Sequence, residues 1–180
     1  MTTRIYRPDG VIGQPPLELA ATPSSLAGMR IGVLDNGKPN AALVMTRLAR
    51  SLATRVDAEV SLVTKKGPQG RSANAAIPCA PDVFERVVAE SDVVITGTAD
   101  CGSCTAYSVH DAIELEKVGK PAIVVTTTQF APIAETMAQH FGLPATRRLV
   151  LPHPIGGTAP DVLERWADEA VDRALTLLRP

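Results

Sequence analysis

The chain has 180 residues, of which 45% are hydrophobic and 21% charged, with a formal net charge of -1. That balance suits one globular domain with its own core and excludes both a disordered chain and an extended basic face for nucleic acid. Aromatic residues make up only 3%, too few for a base-stacking platform.

The opening residues, Met1-Thr2-Thr3-Arg4-Ile5-Tyr6-Arg7-Pro8, lack the continuous apolar core of a secretory signal, and no stretch reaches membrane-spanning length. Three cysteines, an odd number, fit a reducing compartment better than a disulfide framework. A cytoplasmic protein with no membrane contact is expected. Residues 1–28 carry Pro8, Pro15, Pro16 and Pro23 with little apolar periodicity, which predicts an extended arm. Such an arm could join copies of the chain in a homo-oligomer or dock it into a larger complex. Residues 29–180 are expected to form a single α/β domain.

Within that domain, Arg30 to Leu34 reads as a short buried strand and Asn40 to Thr54 as a helix whose face is set by Leu43, Arg47, Leu48 and Leu52. Glu59 to Val63 is the second strand. The Gly/Pro/Ser/Asn-rich stretch from Lys65 to Pro78 is long for a connection in a compact domain and suggests a lid. A helix over Pro81 to Glu90, with Val83, Phe84, Val87 and Val88 inward, leads into a third strand, Asp92 to Gly97. The next helix runs to about Val118 with Ala106, Val109, Ile113 and Val118 as its buried stripe, and Gly119 and Pro121 close it. Ala122 to Val125 is the fourth strand, followed by a helix from Pro132 to Phe141 with Gly142 as its stop. Arg147 to Leu151 is the fifth strand. A last helix from about Pro160 to Leu178 buries Leu163, Trp166, Ala170, Ala174 and Leu177.

Five apolar strands alternating with helices predict an α/β fold with a doubly wound five-stranded parallel sheet. The commonest arrangement of five is the flavodoxin-like order 2-1-3-4-5. There the chain reverses between the first and third strands, and ligands bind at the carboxyl ends of the strands beside that reversal. Two loops meet at this place, one over residues 35–40 and one over residues 98–104.

The second of these loops holds Cys101-Gly102-Ser103-Cys104 at a strand-to-helix transition. Amides at a helix start favour a thiolate, and a second thiol two residues on can resolve what the first one forms. Cys101, the first of the pair, is the expected nucleophile and Cys104 its possible resolving partner. Gly102 leaves the approach open, while the Ser103 hydroxyl is expected to cap the helix or to hold an anionic substrate group. Asp100 opposes a thiolate by its charge, unless it accepts a proton from an incoming thiol or substrate. His153, just past the fifth strand, lies at the same sheet edge and is a candidate acid/base. Asp35, Asn36, Thr127 and Thr128 are candidate substrate-binding residues there, with turn chemistry the competing account for the first loop. Pro154-Ile155-Gly156-Gly157 could place backbone amides at an anionic group. His110 and His140 read as structural.

Zinc held by Cys79, Cys101, Cys104 and a histidine is the alternative use of the thiols, but structural zinc generally takes two close cysteine pairs and the chain has one. Neither a metal nor a cofactor is expected. Flavin has little support, because the loop over 35–40 lacks a Ser/Thr-rich phosphate cradle. A small-molecule substrate and an external thiol reductant are the expected partners. The remaining alternatives are a cofactor-free cysteine lyase, isomerase or hydrolase, and a non-catalytic or zinc-binding subunit.

The stretch from Thr98 to Phe130, with Asp100-Cys101-Gly102-Ser103-Cys104-Thr105, Glu114-Leu115-Glu116-Lys117-Val118-Gly119-Lys120-Pro121 and Thr126-Thr127-Thr128-Gln129-Phe130, resembles the UGSC family. It is more distantly similar to the selenocysteine-bearing B subunits of glycine, betaine and proline reductases. The resemblance implies that Cys101 occupies a position filled by selenocysteine or cysteine, that it is the reactive centre, and that Cys104 is its nearby partner. It implies nothing about the substrate.

Overall fold

The computed structural model describes residues 17–65 and 75–179. Strands β1 (Arg30–Asp35), β2 (Glu59–Thr64), β3 (Val93–Ala99), β4 (Ala122–Thr127) and β5 (Arg147–Leu151) form one parallel sheet in the order β2-β1-β3-β4-β5. This is the doubly wound, flavodoxin-like sheet expected from the alternation of strands and helices. The helices are α1 (Ala41–Val56), α2 (Pro81–Glu90), α3 (Gly102–Lys117), α4 (Ala131–His140), α5 (Pro160–Glu169) and α6 (Val171–Leu177).

The two-residue alternation of side chains along the strands divides the interior into two cores. Ile31, Val33, Val93 and Ile95 join α1, α5 and α6 on one face, whereas Leu34, Val94 and Val124 join α2, α3 and α4 on the other. β3 is buried along its whole length, as a central strand covered on both faces must be. Its carboxyl end therefore opens between two layers of helices, beside the end of β1.

Three sequence expectations need correction. In α1 the buried face is Ala41, Val44, Met45, Leu48, Ala49, Leu52 and Ala53, while Arg47 is exposed and paired with Asp168 on α5 at 2.7 Å. The small alanines, not the conspicuous Leu43, let α1 approach the sheet. Val118 is half exposed rather than part of the α3 stripe, because α3 ends at Lys117. The last helix is two helices joined at Ala170, which no glycine or proline announces; α6 turns to pack on both β5 and α1.

Of the arm expected over residues 1–28, the structure describes residues 17–28, which lie on this chain's own body. Leu17 and Leu19 pack on the α3-side core, and Leu26 enters the opposite one. The suggested lid falls largely on residues 66–74, outside the described residues. Its two stems are held by a buried ion pair. Lys65 Nζ donates to Asp111 Oδ2 and to the Ile77 carbonyl, each at 2.7 Å, and Asp111 Oδ1 accepts the Cys79 amide at 2.9 Å.

A second buried pair joins Glu116 on α3 to Arg147 on β5, with side chains 0% and 8% exposed. Glu116 also accepts the amides of Ala20 and Ala122, at 2.7 and 2.9 Å. Arg147 donates to the carbonyls of Ala20 and Leu177, both at 2.9 Å. One pair thus fastens the N-terminal segment, β4, β5 and α6 to α3.

Removing one partner of such a pair leaves a buried charge without compensation, which costs about 3–5 kcal/mol. Arg147→Ala is expected to lower unfolding stability by that amount in denaturant titration. Glu116→Leu combined with Arg147→Met, which leaves no orphaned charge, is expected to lose much less.

Candidate functional site

The end of β3 is shaped by Gly97. Its φ is +143°, and a Cβ there would lie 2.7 Å from the Val125 carbonyl, so glycine alone lets the backbone run this close to β4. Beyond it the β3–β4 register shifts between Gly97 and Ala99, and Thr126 Oγ1 donates to the Ala99 carbonyl at 2.9 Å. The strand is thereby anchored up to the residue before Asp100.

Cys101 is the N-cap of α3, in extended backbone geometry with φ -150° and ψ 168°. Its carbonyl accepts the Thr105 amide at 3.0 Å and the Thr105 hydroxyl at 2.5 Å. Cys104 is then the third helical residue, fully buried, with Sγ 3.2 Å from the Cys101 carbonyl oxygen. The two cysteines form a disulfide with their Cα atoms 5.5 Å apart. The pair is asymmetric, since Cys101 is half-buried and Cys104 has no solvent contact. Amides of the first turn, including those of Gly102 and Ser103, have no partner within the helix and present partial positive charge there.

Ser103 is exposed in that first turn and does not cap the helix, because Cys101 occupies the cap position. The expectation of a capping Ser103 is corrected accordingly. Asp100 is held from across the edge: Gly156 N–H, from the loop after β5, donates to Asp100 Oδ2 at 3.2 Å. The glycine-containing loop that could have held an external anion therefore uses one amide on this chain's own carboxylate. The other oxygen, Asp100 Oδ1, is buried with no hydrogen-bond partner.

In the loop after β1, Asp35 Oδ1 accepts the Gly37 amide at 2.9 Å and Asn36 Oδ1 accepts the Lys38 amide at 3.2 Å. Asn36 Nδ2 donates to the Thr98 carbonyl at 2.9 Å and to Ser108 Oγ at 3.3 Å. Asn36 thus braces the cysteine-bearing loop against β1 and α3, and Asp35 shapes its own turn. With these two amides committed, a carboxylate in place and no amide on Pro39, this loop does not suit a flavin phosphate. Asn40, at φ 65°, donates to the carbonyls of Ile155 and Thr158, both at 3.0 Å. Asparagine tolerates that left-handed geometry better than most residues.

Thr127, buried at the end of β4, places Oγ1 3.1 Å from His153 Nδ1. The exposed His153 ring also lies against Phe130, with centroids 5.6 Å apart. Thr128 is exposed, and its amide donates to the Leu151 carbonyl at 2.9 Å. The loops after β1, β3 and β5 are thus stitched together by Asn36, Asn40 and Asp100, while Thr127 and His153 join the ends of β4 and β5.

Cys79 stands elsewhere, beside Asp111 and Lys65 at the foot of α2. Burial, reinforced by the Asp111 charge, pushes its thiol up to about 12 despite the opposing effect of Lys65. Among the described residues no three His, Cys, Asp or Glu side chains gather as a metal site would require. Sequence reasoning missed the buried polar set of α3, namely Thr105, Ser108, Asp111 and Glu116. Its signal was helical spacing: Ser108 and Asp111 fall four and seven residues after Cys104, on the same inward face.

The UGSC family model matches residues 4–179. No curated protein matches the chain in sequence. Similar solved structures include an NAD(P)H:quinone oxidoreductase from Methanothermobacter marburgensis, with 13% identity and TM-score 0.45, covering 82% of this chain and 100% of that one. The sugar isomerase domain of an RpiR transcription factor from Sphaerobacter thermophilus gives 16% identity and TM-score 0.41, covering 84% and 76%. A short-chain flavodoxin associated with a bacterial microcompartment gives 15% and 0.41, covering 82% and 99%. No helix among the described residues is long and apolar enough to cross a membrane.

The thiols should differ sharply in reactivity. After reduction, iodoacetamide at pH 7 is expected to modify Cys101 and to leave Cys79 unmodified, with peptide mass spectrometry assigning the sites, because a thiol near 12 holds almost no thiolate at that pH.

Proposed function

The chain belongs to the UGSC family, and from that membership and the geometry of its cysteine pair we propose that it is a thiol-dependent redox enzyme acting on a small molecule. The observation that carries the proposal is the Cys101–Cys104 disulfide at the start of α3, with one half-buried and one fully buried sulfur, at the carboxyl edge of β3. Parallel sheets of this order bind their ligands at that edge.

In the reduced protein, the Cys101 thiolate attacks an electrophilic atom of the substrate. The amides of the first turn of α3 favour its negative charge. Cys104 then attacks the Cys101 sulfur, and the reduced product leaves with the bonding electron pair. Two thiols have become one disulfide, supplying two electrons, and an external thiol reductant restores them. His153 is the proposed proton donor to the departing product. With Nδ1 held at Thr127, Nε2 is the nitrogen left for that exchange. Ser103 and Thr128, both exposed near the same edge, supply hydroxyls for substrate contact, and Asp35 and Asn36 shape the opposite wall.

Substitutions separate the two cysteines. Cys101→Ser is expected to abolish covalent adducts with disulfide and alkyl electrophiles, read by intact-protein mass. Cys104→Ser is expected to form the adduct and to retain it. If Cys104→Ser instead turns over at the wild-type rate, Cys101 acts alone and the redox assignment is wrong.

A further inference from the structure

The Cys101 carbonyl oxygen lies between the two cysteines, and three groups are aimed at it. Thr105 reaches it twice, with its amide at 3.0 Å and its hydroxyl at 2.5 Å. Cys104 Sγ is the third, 3.2 Å away. Thr105 and Cys104 are both 0% exposed, so water does not compete for these contacts. A threonine hydroxyl bonded to the carbonyl four residues back is common in helices, and Thr54, Thr136 and Thr176 make that bond at exposed positions of α1, α4 and α6. Thr105 differs from them in what it engages. Its carbonyl belongs to one cysteine of the pair and faces the sulfur of the other.

A carbonyl oxygen has two lone pairs. In the disulfide Cys104 carries no hydrogen, and both lone pairs serve Thr105. Reduction puts a hydrogen on the Cys104 sulfur, and burial in the first turn of α3 keeps that sulfur beside the oxygen. Three donors then share two lone pairs. The thiol is the weakest donor of the three, so with the Thr105 hydroxyl in place the oxygen has little left for it. Without that hydroxyl, the S–H group would gain a hydrogen bond that stabilises the thiol and has to be broken before Cys104 can attack.

We infer that Thr105 is a positioning residue for the resolving step: its hydroxyl occupies the Cys101 carbonyl and so leaves the Cys104 thiol loosely held and ready to lose its proton. The assignment rests on the redox function proposed above. With glutathione disulfide as the oxidant, the Cys101 thiolate first attacks one glutathione sulfur, forming Cys101–S–S–glutathione and releasing one glutathione thiolate. Cys104 then gives up its proton and its sulfur bonds to that of Cys101. The Cys101–glutathione bond breaks, and a second glutathione leaves as thiolate with the bonding pair. The protons of the two protein thiols end on the two glutathione sulfurs. Overall, two protein thiols are oxidised and one glutathione disulfide is reduced to two glutathiones.

The test follows each step separately by acid quench and intact-protein mass after mixing reduced protein with glutathione disulfide. Thr105→Val keeps the shape of the side chain and removes the hydroxyl. It is expected to form the Cys101 adduct at the wild-type rate and to resolve it about fivefold more slowly, the size of one modest hydrogen bond. Thr105→Ser keeps the hydroxyl and should resolve within about twofold of wild type. In a series of thiol/disulfide buffers, the midpoint of Thr105→Val should move about fivefold toward the oxidising side, because the strengthened thiol bond favours the reduced pair. Thr105→Ala supplies the same readouts if the valine variant does not fold. Resolution at the wild-type rate without the hydroxyl, equal slowing of both steps, a serine variant as slow as the valine one, or a midpoint that stays or moves to the reducing side would overturn the assignment while leaving the redox function standing. Wild-type protein that forms no Cys101 adduct at all would overturn the function itself, and this assignment with it.

Discussion

Two carboxylates on α3, Asp111 and Glu116, are withdrawn from water, and each requires a cation from another strand to come in with it. Lys65 comes from the end of β2 and Arg147 from the start of β5. The cost of burying these charges is offset only if both partners and the surrounding amides stay in place. They do, because the pairs also bind the Ile77 carbonyl, the Cys79 and Ala122 amides and both polar groups of Ala20. Asn36 adds a neutral tie from the loop after β1 to Ser108. α3 is thus fixed in position and rotation by side chains reaching it from β1, β2 and β5.

That fixation matters for the site because α3 begins at the cysteines. A helix free to rotate would carry Cys104, now buried on its inward face, out to solvent. Held as it is, α3 presents a half-buried sulfur at its N-cap and keeps the second one inside. The carboxyl edge is closed by the same kind of exchange between loops. Gly156 reaches Asp100, Asn40 reaches Ile155 and Thr158, and Thr127 meets His153. The result is a rim of mutually hydrogen-bonded loops around one pair of cysteines that differ in exposure.

Much of this was legible in the residues. The five strands followed from apolar runs separated by helical periods, their order from the commonest arrangement of five such strands, and the cysteine pair fell at the strand reversal because its loop follows the third strand. What the pattern obscured has a common cause. Asp111 and Glu116 look like surface acids of an amphipathic helix, and only tertiary pairing with residues 46 and 31 positions away reverses that assignment. Asn36 and Asp35 are polar at a binding edge, and the hydrogen bonds by which they also brace the loops there are tertiary or turn contacts that the residue pattern does not display. Ala170 marks a helix break with no local breaker, since the demand comes from packing α6 on β5. Ser103 lost the cap role to Cys101 through a one-turn matter of backbone geometry that spacing alone does not reveal.

The central claim is that Cys101 and Cys104 form one reversible two-electron couple while Cys79 stays apart. Equilibrating the protein across a series of thiol/disulfide buffers, quenching with acid and counting free thiols by alkylation after denaturation tests it most directly. The account predicts that two of the chain's three thiols vanish together, with the dependence on buffer ratio of a two-electron couple, and that Cys79 remains free throughout. Three free thiols under every buffer, or loss of Cys101 alone as a stable mixed disulfide, would contradict it.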